Sequence, residues 1–395
     1  MSADQDNSHK EHRWIVIAVL VVVVSVFVAF SGGLVNEFVD WDDNYVLVNN
    51  TSYRGFSAAH FTWMFTTGFA GHYQPLSWLS YAIDHAIWGL DPFGFHLTNL
   101  ILHITTSVLF LFVCRRLVGR ARGEFSSGAL LIGSMAAVML FAVHPLRVES
   151  VSWATERRDV LSGMWLMATL LFYLRATDQP SGSRRYWPLG FALACYVLSL
   201  LSKASGMSLP FVLLAIDAYP LRRFLLWESS STFASEASQS TGRNVIVAPV
   251  GGAGKFNTEQ PDADSIRRIV TEKLLFLVPA LIFAPLALWA QRETGALRSF
   301  DEHSLLLRVS QAFYGIVFYL WKTIWPVGLI PLYEQRPGAT PFEWQFVISA
   351  VVDGHHGAGV GQAKTVAGCV GVLGGVLTVV SAGAGICAKW SASGG

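Results

Sequence analysis

The residues that could do chemistry are concentrated in two short stretches of the chain. The first is Asp40-Trp41-Asp42-Asp43, three carboxylates in four residues, directly after the first long apolar segment. Charged side chains at a membrane boundary are energetically costly, so such a cluster is a functional-site candidate, with solvated loop charge as the alternative. Position and clustering favour a function for Asp42 and Asp43, and solvated charge for Asp40.

The second stretch, residues 144–159, combines acids and bases. Glu149 and Glu156 are seven positions apart, so on a helix they would share a face. Arg157 and Arg158 follow directly. Carboxylates can bind a divalent metal through hard oxygen ligands, and arginines can bind a phosphate. Salt bridges among these residues, and topogenic charge for the arginines, are equally good interpretations at this point.

Other polar residues stand near predicted membrane boundaries. Lys203 is either a snorkelling side chain or a phosphate contact. His96, Asn99 and His103 share one face of a predicted span, a stripe more typical of bonding between helices than of ligand binding. Arg147 is a further charge of the second stretch.

The composition indicates an integral membrane protein. Of the 395 residues 52% are hydrophobic and only 14% are charged, with a mean hydropathy of +0.44. A soluble domain would have about 25% charged residues. The basic residues cluster at segment ends and form no patch for nucleic acid. The four cysteines lie in or beside apolar segments without metal-ligand or disulfide spacing.

Long apolar segments predict an all-α polytopic membrane protein with about eight or nine transmembrane helices. The first segment reads as an uncleaved anchor rather than a signal peptide, because no small-residue cleavage site precedes Asp40. The predicted spans are residues 14–35, 95–118, 127–143, 160–174, 186–201, 207–219, 274–290 and 305–325, with 365–388 as a possible ninth.

Basic clusters orient these spans. Arg115 and Arg116, Arg175, Arg184 and Arg222 lie at alternate span ends, which marks the cytoplasmic side. The Asp42 loop, residues 144–159 and Lys203 then share the opposite, outer side. Within the first outer loop, aromatic stretches at 56–67 and 75–89 predict helices lying along the membrane interface, with ordinary loop helices as the alternative.

The chain divides into five regions by composition. Residues 1–13 form a cytoplasmic N-terminus, 14–223 a transmembrane core, 224–270 a flexible cytoplasmic linker, 271–350 further spans, and 351–395 a Gly/Ala-rich tail that is native, truncated or frame-altered. The glycines before Lys255 lack the pattern and the strand–helix context of a phosphate loop.

Several blocks, in order and spacing, carry a family resemblance. The sequence resembles the transmembrane-and-tetratricopeptide-repeat proteins, especially their bacterial relatives; their eukaryotic members are O-mannosyltransferases of the C-type glycosyltransferase superfamily. The blocks are Phe38-Val39-Asp40-Trp41-Asp42-Asp43-Asn44-Tyr45, Tyr73-Gln74-Pro75-Leu76-Ser77-Trp78, His96-Leu97-Thr98-Asn99, His144-Pro145-Leu146-Arg147-Val148-Glu149-Ser150-Val151, Glu156-Arg157-Arg158-Asp159-Val160-Leu161, Leu201-Ser202-Lys203, Leu209-Pro210-Phe211-Val212-Leu213-Leu214 and Trp321-Lys322-Thr323-Ile324-Trp325-Pro326.

The resemblance implies a transferase that moves a sugar from a polyprenyl-phosphate donor to a protein hydroxyl on the non-cytoplasmic face. That face would be periplasmic in a bacterial inner membrane, or lumenal in the endoplasmic reticulum. The match puts the catalytic base on Asp42 or Asp43. It assigns binding of the lipid phosphate or the acceptor to the outer-face residues His144, Glu149, Arg157, Arg158, Asp159 and Lys203. A cofactor is not specified; if a divalent metal takes part, Asp43 and Glu149 are its candidate ligands.

The chain also departs from the family pattern. No helical period of tetratricopeptide type is present. A fragment, a degenerate copy, and a variant whose separate partner protein supplies the repeats are the three interpretations of this departure. The alternative function is a non-catalytic membrane scaffold that binds polyprenyl lipid. A transporter is less favoured because the spans carry few midplane charges and no inverted repeat of broken helices.

Overall fold

The computed structural model describes residues 2–121, 125–179, 183–221, 223, 263–295 and 304–330. This part of the chain is built from helices and contains no strand. The tail 351–395, with its predicted span 365–388, and most of the predicted linker lie outside the described residues.

Eleven α-helices, numbered here in chain order, account for most of the described part of the chain. They are α1 (Ser2–Phe30), α2 (Ala58–Thr66), α3 (Pro75–Trp88), α4 (Pro92–Ala121), α5 (Ser127–Ala142), α6 (Val148–Ser152), α7 (Arg157–Asp178), α8 (Ser183–Ser202), α9 (Leu209–Ala218), α10 (Ala263–Glu293) and α11 (Leu305–Ile324). The last helix but one begins inside the stretch predicted as linker.

Four segments of these helices are long and apolar enough to cross a membrane: His9–Val35, Pro92–Ala121, Ala154–Asp178 and Arg267–Glu293. A fifth is possible if α5 and Pro145–Ser152, bent by 51°, form one broken span. The predicted segments 186–201, 207–219 and 305–325 coincide with helices outside this set. The predicted count of eight or nine spans is therefore not confirmed for the described residues, whereas the all-helical prediction is.

Helix α1 shows how an apolar segment is divided between protein and surroundings. Ala18, Val22 and Val26 recur every four residues on one face and are buried in the main core against α4. The faces between them remain exposed, with Val28 at 69%. Exposed aliphatic surface of this kind suits lipid contact.

Helix α7 is central and packs against both α4 and α8. Its buried side includes Leu170 and Leu174. The hydroxyls of Ser162 and Ser199 lie 2.8 Å apart across the α7–α8 contact. Small hydroxyl residues allow the close helix approach that is favoured where no water-driven hydrophobic force acts between helices.

The first outer loop forms a second, aromatic core. Trp78, Tyr81 and Phe95 are fully buried there, with Tyr53 stacked on the Trp78 ring at 6.2 Å. Helices α2 and α3 lie where the aromatic stretches predict them. Helix α3 does more than rest on a surface, because one of its faces is packed inside the protein. The Ser77 hydroxyl donates to the Ser202 carbonyl at the end of α8, 3.0 Å away.

Two residues of the polar stripe of α4, Asn99 and His103, bond to neighbouring segments, as the pattern predicts. The Asn99 side chain donates to the Trp153 carbonyl at 2.9 Å. His103 Nε2 lies 2.8 Å from the Ala142 carbonyl at the end of α5. These contacts fix α4 against the segment that follows α5.

A buried ion cluster joins α7, α9 and α10 at the predicted cytoplasmic side. Asp217 has no exposed surface and accepts hydrogen bonds from the Tyr173 hydroxyl, at 2.7 and 2.8 Å. Lys273 lies 2.6 Å and Arg223 3.2 Å from the same carboxylate. Glu272 completes the cluster by pairing with Arg223 at 2.8 Å.

Candidate active site at the junction of two loops

Asp43 joins the two stretches that the sequence singles out. Its side chain has no exposed surface. One carboxylate oxygen accepts the Val39 N–H and the other the Thr155 N–H, each at 3.0 Å. The rings of Trp41 and Trp153 lie 6.0 Å apart beside this contact. The Asp43 carboxylate is thus one of the contacts that hold the first outer loop to the second.

The three acids of the first loop differ in environment. Asp42 is 9% exposed, whereas Asp40 is exposed and accepts a hydrogen bond from the Asn44 amide at 2.5 Å. Burial raises the pKa of Asp43 above its ordinary value, and the N–H donors of Val39 and Thr155 oppose that rise. The two acids favoured by the sequence are therefore the two that the fold encloses.

The second stretch forms a balanced ion network around Lys203. Arg158 pairs with Glu156, and Lys203 pairs with Asp159. Lys203 Nζ also lies 3.6 Å from Glu156. The Ser150 hydroxyl donates to Asp159 at 3.3 Å. Two cations and two carboxylates thus meet in one buried cluster at the start of α7.

Lys203 stays a cation in this cluster. Burial alone would lower its pKa, but the carboxylates of Asp159 and Glu156 outweigh that effect and raise the pKa above the usual value. Lys203 is therefore a source of fixed positive charge and not a base.

Arg157 points away from this network. Its guanidinium has no exposed surface and lies 2.6 Å from the Asp84 carboxylate. It also donates to the Phe95 carbonyl at 2.7 Å and to Asn99. The Tyr81 ring centroid is 5.2 Å away. The fold therefore uses Arg157 to hold α3, α4 and α7 together.

Arg147 is a residue whose importance the sequence alone does not reveal. Its side chain is 7% exposed and its guanidinium lies 5.1 Å from the Phe141 ring centroid. It forms no ion pair with any residue in the described ranges. The carboxylates of Asp159 and Glu149 are near enough to act on it electrostatically. A buried guanidinium of this kind is available for an anionic ligand.

Glu149 and His144 occupy the edge of the site. Glu149 is partly buried and forms no hydrogen bond through its side chain within the described part of the chain. His144 Nδ1 accepts the Leu146 N–H at 3.2 Å, which leaves Nε2 to donate to the Thr323 carbonyl of α11 at 2.9 Å. His144 thus docks α11 and is already occupied on both nitrogens.

The residues named as metal ligands do not form a metal site here. Across the described ranges, no group of three His, Cys, Asp or Glu side chains is arranged to hold an ion. Both oxygens of Asp43 already accept backbone N–H groups. Metal dependence stays an untested prediction, and we assign no step to a metal.

The helices and the enclosed loops define an integral membrane protein of all-helical architecture. Sequence comparison adds a similarity to protein O-mannosyl-transferases. The chain is 30% identical to human protein O-mannosyl-transferase TMTC2 over 224 residues, which cover 52% of this chain and 26% of that protein. It is 28% identical to human TMTC1 over 231 residues, 54% of this chain and 25% of the relative.

The relationship extends to insects but is partial throughout. The Drosophila melanogaster protein O-mannosyl-transferase Tmtc3 is 31% identical over 150 residues, 35% of this chain and 16% of that protein. In these alignments the chain matches only 16% to 26% of its relatives' length. No family model matches the chain, and no solved structure matches it.

Proposed function

We propose that this chain is a membrane glycosyltransferase that moves a sugar from a polyprenyl-phosphate donor to a protein hydroxyl on the non-cytoplasmic face. The single observation that supports it best is the buried Asp43 carboxylate. It joins two loops of a chain whose sequence is similar to protein O-mannosyl-transferases. Asp42 lies next to that junction, and the charged cluster of Lys203 links the second loop to the segment that follows α8.

Asp42 is the base in this proposal. Its carboxylate takes the proton of the acceptor hydroxyl as the hydroxyl oxygen attacks the anomeric carbon of the sugar. The bond from that carbon to the phosphate oxygen breaks, and the phosphate leaves with the electron pair. Asp43 is the positioning residue, because both of its oxygens are engaged by backbone N–H groups and its side chain has no exposed surface.

Arg147 is the residue we assign to meet the charge of the departing phosphate, because the other three cations have carboxylate partners. Arg157 is paired with Asp84, and Arg158 and Lys203 are paired within the buried network. Arg147 alone among these four has no carboxylate partner among the described residues. A preorganised donor aimed at developing negative charge is typically worth about 10²–10³-fold in rate. Glu149 and the Lys203 network shape its surroundings.

The test is sugar transfer from polyprenyl-phosphate mannose, measured in membranes holding the full chain. We expect D42N to lower the rate by about 10²–10⁴-fold, as for the loss of a positioned general base. D40N is the matched control, because it removes the same charge from an exposed residue of the same loop. Unchanged rates in both D42N and D43N would sink the assignment of this loop.

Arg147 has its own test within the same assay. R147Q should raise the KM for the donor and lower kcat, because the phosphate is bound in the ground state and carries more charge in the transition state. R147K should recover part of kcat. If R147Q transfers sugar at the parent rate, the phosphate is held elsewhere.

A second candidate function is a non-catalytic scaffold that binds polyprenyl lipid. It is favoured by the commitment of Arg157, Arg158 and Lys203 to ion pairs within the protein, which suits a structural role. This function predicts that R147Q weakens binding of the polyprenyl phosphate itself. It also predicts that neither the parent chain nor any variant transfers sugar. A separate repeat protein as partner remains a proposal on either reading.

A further inference from the structure

A basic groove lies at the far end of α7 from the proposed active site. It is a cavity of about 510 Å³ between the ends of α4, α7 and α8, and its lining includes Arg116, Arg175, Arg184 and Trp187. Helix α7 is 22 residues long, which separates its two ends by about 33 Å. The groove is therefore distinct from the loops that hold Asp42 and Arg147.

The groove has more positive charge than its own acid neutralises. Asp178, its one lining carboxylate, pairs with Arg116 at 2.6 Å and with Arg120. Arg175 and Arg184 are exposed and form no ion pair with any part of the chain that the structure describes. The Arg175 guanidinium is steadied over the Phe172 ring, 5.4 Å from its centroid. Two guanidinium groups are thus left to face an anion.

Exposed aromatic side chains stand at the groove. Trp187 is 75% exposed and lines the groove, and its neighbour Tyr186 is 70% exposed. Exposed Trp and Tyr beside a cluster of arginines are typical of the boundary between acyl chains and headgroups. On the predicted orientation this boundary is the cytoplasmic one, where anionic lipids are recognised by basic pockets between helices.

We propose that this groove binds the headgroup of an anionic phospholipid, with the phosphate between Arg175 and Arg184 and the glycerol and acyl region against Trp187. Guanidinium groups suit this ligand because they present paired donors to phosphate oxygens. The bound lipid would hold the facing ends of α7 and α8 at a fixed depth. The site requires no sugar-transfer activity and stands independently of the proposed function.

The experiment is native mass spectrometry of the full chain in a neutral detergent, titrated with phosphatidylglycerol, phosphatidylcholine or inorganic phosphate. We expect phosphatidylglycerol to be retained preferentially and the double variant R175Q/R184Q to weaken its retention by about tenfold. R13Q/R267Q is the matched control, since both residues are exposed near the same predicted side and the charge change is equal. The charge-preserving R175K/R184K should keep the preference for phosphatidylglycerol.

Three outcomes would overturn the proposal. Equal weakening in R175Q/R184Q and R13Q/R267Q would show diffuse attraction and no built site. Equal retention of phosphatidylglycerol and phosphatidylcholine would remove the role of net headgroup charge. Displacement of the lipid by millimolar inorganic phosphate alone would mark the groove as a site for a soluble phosphate compound.

Discussion

The Asp43 carboxylate and the Thr155 backbone N–H lie 3.0 Å apart, although 112 residues separate them in the chain. The other oxygen of Asp43 accepts the Val39 N–H at the same distance. A neutral carboxylic acid accepts such bonds less strongly than a carboxylate. The ionisation of this one buried residue therefore affects how firmly the two outer loops are held together.

Transfer activity should consequently fall on acidification through the pKa of Asp43. Because burial raises that pKa, we expect the acid limb of the rate profile to lie above the ordinary aspartate value of about 3.9. D43N should have a low rate throughout and lose this limb. The measurement is the pH dependence of kcat for sugar transfer, and a D43N profile with the parent limb would contradict the assignment.

The same raised pKa has an opposite effect on global stability. The folded protein holds the Asp43 proton more tightly than the unfolded chain does, so this group contributes stability below the unfolded pKa and loses it as pH rises through the folded pKa. Protonation of Asp43 should therefore lower the activity at a pH where it does not itself unfold the protein. Tryptophan emission recorded over the same pH range separates the two events.

Removing the charge of Lys203 should destabilise the outer end of α7. In K203M the carboxylates of Glu156 and Asp159 lose their shared cation, and breaking a buried ion pair typically costs about 3–5 kcal/mol. K203R keeps the charge and should cost much less. Unfolding by SDS titration of the purified chain measures both, and equal destabilisation by the two variants would show that packing, not charge, is what Lys203 provides.

Asp84 and Arg157 should behave as one structural unit. D84N and R157Q each leave a buried partner unpaired. The double variant should therefore lose less unfolding free energy than the two single variants together, with a coupling energy of about 0.5–3 kcal/mol. The matched control is Arg115–Glu11, a pair at 2.8 Å whose glutamate is 47% exposed; its coupling should be about 0–1 kcal/mol. Additive costs for D84N and R157Q would contradict the structural role of Arg157.

Apolar length allowed the sequence to predict where most helices lie. The predicted span 127–143 coincides with Ser127–Ala142, and 95–118 falls within Pro92–Ala121. The number of spans was harder to predict, because helices such as α9, with 10 residues, are apolar but short. Apolar pattern alone does not say whether a short helix crosses the membrane or packs beside helices that do.

The site was predictable by region and less so by role. Clustering and position favour Asp42 and Asp43 over Asp40; the fold buries the first two, and their catalytic role stays a prediction. The roles of the arginines depend on partners that sequence spacing does not show. Arg157 finds Asp84 on another helix, while Arg147, ten positions earlier, finds no acid among the described residues. Only the fold distinguishes a committed guanidinium from an available one.

The ion cluster around Asp217 has a consequence for how the chain is held together. Lys273 and Glu272 of α10 pair with Asp217, Arg223 and Arg185, which precede residues 224–262 in the chain. Beside these pairs Phe276 packs its ring on Tyr173 and Tyr196, at 6.0 and 5.7 Å. Helix α10 is thus bound to the preceding bundle through space, so two polypeptides divided within 224–262 would assemble into the same structure when expressed together.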